Sequence, residues 1–239
     1  MPGVTDHRGL AMALRIGRRR AAGRFRTAIG ALVVALTAGA VVAVPVAEAD
    51  AAGSKVVYLT FDDGPSTAYT PKVLNVLARY GVQATFFEVG QEVSAHPSVT
   101  SQVARQGHSV QNHSWSHPDL SRLSASAVTS QVTRTDKAIR AQTGRTPSCL
   151  RPPYGSLNST VRSRAAALGK QVVLWSVDPQ DWARPGTGAI ESRVLRNVRP
   201  GSVILMHDGG GNRGQTVDAL PTIISTLKAR GYTFGVLCR

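Results

Sequence analysis

The sequence predicts a parallel α/β fold made as one domain. Apolar, β-branched runs of strand length alternate with helical segments, many of them closed by glycine, from Val56 to the end of the chain. The length, 239 residues, suffices for one sizeable core rather than two. After residue 55 there is no linker, low-complexity run or repeat that would divide the chain.

The elements follow in order. Val56–Phe61 reads as a buried strand. Pro71–Tyr80 reads as a helix with Thr70 as cap and Pro71 in its first position; Gly81 stops it. "ATFFEVG" is a strand, Val99–Gln106 a short helix stopped by Gly107, and His108–Asn112 a strand. Ser124 caps a long helix to Thr143, which Gly144 ends. Cys149–Arg151 is a short strand, Thr160–Leu168 a helix and "QVVLWSV" a strand. Ala189–Val198 is a helix, "SVILMH" a strand, Thr216–Arg230 a helix and "YTFGVL" the last strand.

Residues 1–51 stand apart. Seven arginines precede an uncharged run from Thr27 to Ala47, and small residues in an A-x-A pattern follow. This order describes a secretory signal peptide. The alternative is an uncleaved membrane anchor, because the run reaches the ~20 residues needed to span a bilayer. Either way the domain, residues 52–239, is expected outside the cell or at its wall.

The whole chain carries a formal net charge of +14, and residues 52–239 keep 21 Lys+Arg against 11 Asp+Glu. Such a domain is attracted to polyanions. Few aromatics and no Lys/Arg-rich run in that domain argue against nucleic acid. An anionic cell wall or membrane surface fits better, and simple solubility is the plainer account. Only two cysteines exist, Cys149 and Cys238. An oxidising compartment permits them to pair; two free buried thiols are the alternative.

Polar residues recur at the ends of the expected strands. Asp62-Asp63, His113, Arg151, Asp178 and His207 each lie at or just beyond a strand C-terminus. In a parallel barrel those ends share the face on which active sites are built. His113 and His117, four apart in "NHSWSHPDL", can share a metal, and an Asp from another strand end completes a two-His, one-Asp set. Two adjacent aspartates in a cleft repel each other. A cation on one of them resolves the conflict and leaves the other free as a base. Taken singly, each motif has a plain structural account: a proline turn at "RPPYG", an Asx turn at Asp178, a rim histidine at His207. Five in one chain, each at a strand end, do not.

"TFDDGP", "HSWSH", "RPPYG", "DPQDW" and "LMH" resemble, in order, the five motifs of the polysaccharide deacetylases, the NodB-homology or carbohydrate esterase family 4 domain. The resemblance spans Val56 to about Leu237. It implies a distorted (β/α) barrel of about seven units and metal-dependent removal of acetyl groups from N-acetylglucosamine polymers, or from acetylated xylan. By the same resemblance Asp62 is the base, and Asp63, His113 and His117 hold one divalent ion, zinc. Arg151 orients Asp62, and the Tyr154 backbone N–H helps hold the oxyanion. Asp178 orients the catalytic His207, while Leu205 and Trp182 wall the acetyl methyl. The expected partner is an acetylated polysaccharide, and the expected state is a monomer. A non-catalytic carbohydrate-binding domain would lack a base, ligand or acid, and none is missing.

Overall fold

The computed structural model describes residues 55–239. The expected signal peptide or anchor lies outside them. Among the described residues no helix is long and apolar enough to cross a membrane.

Seven parallel strands form the sheet: β1 (Lys55–Asp62), β2 (Thr85–Glu88), β3 (Ser109–Asn112), β4 (Cys149–Leu150), β5 (Gln171–Val172), β6 (Val203–His207) and β7 (Tyr232–Gly235). Their order is β5-β4-β3-β2-β1-β6, with β7 beside β1. The β2-side edge of β1 is shared in series. Its first half, Lys55–Tyr58, pairs with β7 and its last residues, Thr60–Asp62, pair with β2, while the opposite edge pairs with β6 over Tyr58–Asp62. Between β5 and β6 the barrel closes through a bridge from Val177 to Ile204 and the bond from Leu205 N–H to Val177 O. The distorted barrel of about seven units is therefore present.

Among the described residues seven α-helices connect the strands: α1 (Thr70–Tyr80), α2 (Gly90–Ala95), α3 (Pro97–Arg105), α4 (Ala125–Thr143), α5 (Ser159–Ala167), α6 (Thr187–Asn197) and α7 (Gly214–Ala229). β1 is buried from Leu59 onward, and its Leu59 and Phe61 join Phe86, Ile204, Met206, Leu74, Leu77, Ile190 and Ile223 in the main core. A smaller cluster of Leu120, Val128, Val132, Leu150, Val161 and Ala165 seats α4 and α5.

Three expectations need correction. Thr70 does not cap α1; it lies inside the helix, with Tyr69 at the cap. The Thr70 hydroxyl accepts from Ser66 N–H and donates to Asp208. α2 has no counterpart in the sequence reading, because a six-residue helix is too short to show a period. "QVVLWSV" is not one strand. It stops at Val172 because Arg151 takes the next two carbonyls, Val173 O at 3.2 Å and Leu174 O at 3.0 Å.

The expected disulfide is present, joining Cys149 to Cys238. It staples the segment after β7 across the lower ends of the strands. There Leu237 N–H donates to Thr85 Oγ1 at 3.0 Å, and Cys238 O accepts from Ser109 Oγ and Gln111 Nε2.

Candidate active site

The upper ends of β1, β3, β4 and β6 gather the chemistry. Asp62 is the last residue of β1 and is extended; Asp63 turns into the left-handed region at φ 71°. That turn separates the two adjacent carboxylates. Asp62 reaches Arg151, whose Nη1 donates to Oδ1 at 2.7 Å. Asp63 Oδ1 instead faces His113 Nε2 at 3.4 Å and His117 Nε2 at 3.2 Å.

Arg151 is fully buried, which is costly unless its donors are met. They are met by Asp62, Thr60 Oγ1 at 2.8 Å and the two carbonyls of the broken strand, with the guanidinium over the Phe87 ring. A buried cation so fixed holds Asp62 in one orientation.

The His pair could hold a metal. His113 Nδ1 lies 2.7 Å from Arg151 O, so Nδ1 carries the proton and Nε2 presents a bare lone pair. His117 comes from a loop with two left-handed residues, Ser114 at φ 68° and His117 at φ 57°. Gln131 on α4 secures that loop. Its Oε1 accepts from Trp115 N–H at 2.8 Å and Ser116 N–H at 3.0 Å, and its Nε2 donates to Ser116 Oγ at 2.9 Å. Asp63, His113 and His117 offer one ligand atom each, all within 4.8 Å of one another. Asp63 Oδ1 is buried with no hydrogen-bond partner among the described residues, an orphan that a cation would satisfy. The donor set, one hard oxygen and two imidazole nitrogens, suits zinc with a position left open.

His207 closes the site at the end of β6. Its Nδ1 lies 2.7 Å from Asp181 Oδ1, not from Asp178. Asp181 is buried and also accepts from His207 N–H and Thr216 Oγ1. The exposed Asp178 caps its own turn, accepting from Gln180 N–H at 2.7 Å. The expectation for Asp178 is thus overturned in favour of its neighbour three residues on: Asp178 makes the Asx turn that swings Asp181 inward. Burial opposes the His207 imidazolium, but Asp181, then the charges of Asp62 and Asp63, raise its pKa above the ordinary value.

Tyr154 stands in the left-handed region at φ 59°, 70% exposed, with its ring edge-on to His117 at 4.7 Å between centroids. Leu205 is buried on β6, and Trp182, beside Asp181, is 53% exposed. Behind the metal-ligand set the turn after β6 touches the turn after β1. A Cβ on Gly209 would lie 2.0 Å from Asp63 O, and one on Gly210 would lie 2.6 Å from Asp63 Oδ2.

The sequence profile of the family described as polysaccharide deacetylase matches residues 49–173. The chain belongs to the polysaccharide deacetylase family. It is similar to a chitooligosaccharide deacetylase of a Bradyrhizobium species, 42% identical over 77% of this chain and 89% of the relative. A peptidoglycan-N-acetylglucosamine deacetylase of Bacillus cereus is 40% identical over 75% of this chain and 85% of its own. The crystal structure of a peptidoglycan N-acetylglucosamine deacetylase in complex with an N-oxidanyl-benzamide superimposes with a TM-score of 0.76 at 37% identity, covering 77% of this chain and 87% of the other. This deacetylase-family chain is accordingly an enzyme, and its fold is that of these relatives.

Sequence reasoning passed over four residues of this polysaccharide deacetylase domain that shape the site: Asp181, Gln131, Thr216 and Asp208. Asp181 had a signal, since an Asx turn at Asp178 occupies that carboxylate. Gln131 had none, because a glutamine on a long helix looks like any exposed position.

Proposed function

We propose that this enzyme removes acetyl groups from N-acetylglucosamine-containing polysaccharide of the peptidoglycan or chitin type, with one divalent metal ion as cofactor. One observation carries the reading. The bare Nε2 of His113, the Nε2 of His117 and the orphaned Asp63 oxygen converge beside an Arg151-held Asp62 and an Asp181-held His207. A divalent ion, zinc by its donor set, would supply Lewis-acid polarisation of the acetyl carbonyl.

The chain's own residues supply the proton traffic. Asp62, turned to one side by Arg151, accepts a proton from the attacking water. Tyr154 N–H donates to the developing oxyanion. As the C–N bond breaks, the amine needs a proton, and His207, whose cationic form Asp181 favours, gives it. The products are acetate and a free amino sugar. Leu205 and Trp182 are proposed to border the methyl group. Export is proposed from residues 1–51 and suits the Cys149–Cys238 disulfide.

The test is acetate release from chitin oligomers, peptidoglycan and acetylxylan, before and after chelation. Release from an N-acetylglucosamine polymer, lost on chelation and restored by zinc, supports the reading. Faster release from acetylxylan would assign an O-acetyl esterase instead, and full activity of verified metal-free protein would remove the cofactor.

A further inference from the structure

The end of the barrel opposite the site carries a different chemistry. Strand starts and helix ends meet there. Each of the six helices α1, α3, α4, α5, α6 and α7 has a basic residue in its last turn: Arg79, Arg105, Arg140, Arg164, Arg196 and Lys228. Helix dipoles account for about one such cation each. The excess lies outside the helices, at Lys55, Arg145, Arg199, Arg230 and Arg239. None of the eleven acidic residues of the domain falls in the last turn of these six helices or in a helix-to-strand connection.

Part of this basic surface is spoken for. Arg199 and Arg230 donate to helix-end carbonyls, Val198 O and Leu195 O, and Lys228 donates to Tyr80 O. Arg105 and Arg145 make no side-chain hydrogen bond or ion pair among the described residues, and both are exposed. They line a cleft of about 550 Å³ together with Arg239, Gln83, Gln142 and Thr146. Its lining holds no Asp or Glu side chain. His108 in the same wall accepts from Ala84 N–H, and burial lowers its pKa to about 4, so the positive charge of the cleft at neutral pH comes from the arginines.

We propose that this basal cleft is a docking site for a linear phosphodiester polymer of the cell wall, whose phosphates pair with Arg105 and Arg145. A concave, amide- and hydroxyl-lined groove suits an inserted chain better than a flat bilayer. Arginine matches phosphate oxygens with paired donors. An eight-residue β1 separates the two ends by about 25 Å, so docking leaves the upper face open to glycan. The choice of a wall polymer rests on the polysaccharide substrate proposed above; the cleft and its charge do not.

The experiment measures binding of soluble poly(glycerol phosphate) to the purified protein at low salt. The Arg105→Ala/Arg145→Ala variant should bind at least roughly tenfold more weakly. A control pair on other faces, Arg122→Ala/Arg162→Ala, should stay within about twofold, as expected for screened distant charge. Acetate release from a soluble N-acetylglucosamine oligomer should be unchanged in the basal variant, which reports on folding and on the deacetylase reading separately. Single Arg105→Gln and Arg145→Gln variants, each weakening binding, replace the pair if it does not fold. Equal losses in the control pair, or no loss in the basal variant, would overturn the proposal. So would tighter binding to phosphatidylglycerol vesicles with the same arginine dependence, which would make the partner a membrane.

Discussion

Asp181 holds His207 at two points, its Oδ1 2.7 Å from Nδ1 and its Oδ2 accepting the His207 backbone N–H at 2.8 Å. Ring and backbone are thus tied to one carboxylate. Asp181→Asn should keep the fold but lose the charge that favours imidazolium. We expect amide turnover to fall by about 10²-fold or more. Asp178→Asn, on an exposed turn, should stay within about threefold, because it touches only its own loop. Steady-state rates on an N-acetylglucosamine oligomer compare the two; a larger loss for Asp178 would return that residue to the role.

Asp62→Asn removes the base without changing shape. Metal content, measured on the purified protein, should stay at about one ion per chain, while turnover collapses. Loss of the ion instead would make Asp62 a ligand.

Gln131→Ala should weaken metal binding by about 10–100-fold, since the loop that aims His117 loses both backbone anchors. Gln131→Glu keeps the two acceptor contacts and should recover most of the affinity. Chelator competition reads this directly, and unchanged affinity in the alanine variant would show that the loop holds its shape without help.

Glu88 gives a pH-dependent stability. Burial pushes its carboxyl up to about 8, the Thr100 hydroxyl works against this, and the Asp208 charge adds to it. The folded chain therefore keeps a proton that the unfolded chain releases above about 4.5. The stability so contributed is present below that value and is lost as pH rises toward 8. Glu88→Gln should unfold at the same urea midpoint as wild type near pH 4. By pH 8 it should be more stable, by about 1–3 kcal/mol. Parallel pH curves for the two proteins would contradict this account.

Removing the staple with Cys149→Ser/Cys238→Ser should cost about 2–4 kcal/mol, because the bond closes a long loop. Urea unfolding of wild type with and without reductant should reproduce the difference.

Much of this was readable from residues alone. The strand ends bearing Asp62, His113, Arg151 and His207 were legible because apolar runs stop abruptly at polar groups. The convergence of Asp63, His113 and His117 as a set that could hold a metal was legible from His-x-x-x-His beside paired aspartates. What escaped were contacts made by folding. Arg151 breaks the "QVVLWSV" strand from a distance in sequence, and no local pattern records a guanidinium taking two carbonyls. Asp178 and Asp181 have the same chemistry and differ only in which way a turn points them. Gln131 becomes part of the site only because α4 packs beside the His117 loop.

The close approach of Gly209 to Asp63 sets a boundary for redesign. Rim loops are where a new substrate range would be sought by randomising residues. Yet a side chain at 209 has no room beside the Asp63 carbonyl, and one at 210 presses on the Asp63 carboxylate. Arg213 adds a further tie, donating to Gly209 O and Gly210 O. A library across this turn should therefore yield only glycine at 209, and diversity is better placed at exposed Trp182, since the Tyr154 ring packs on His117.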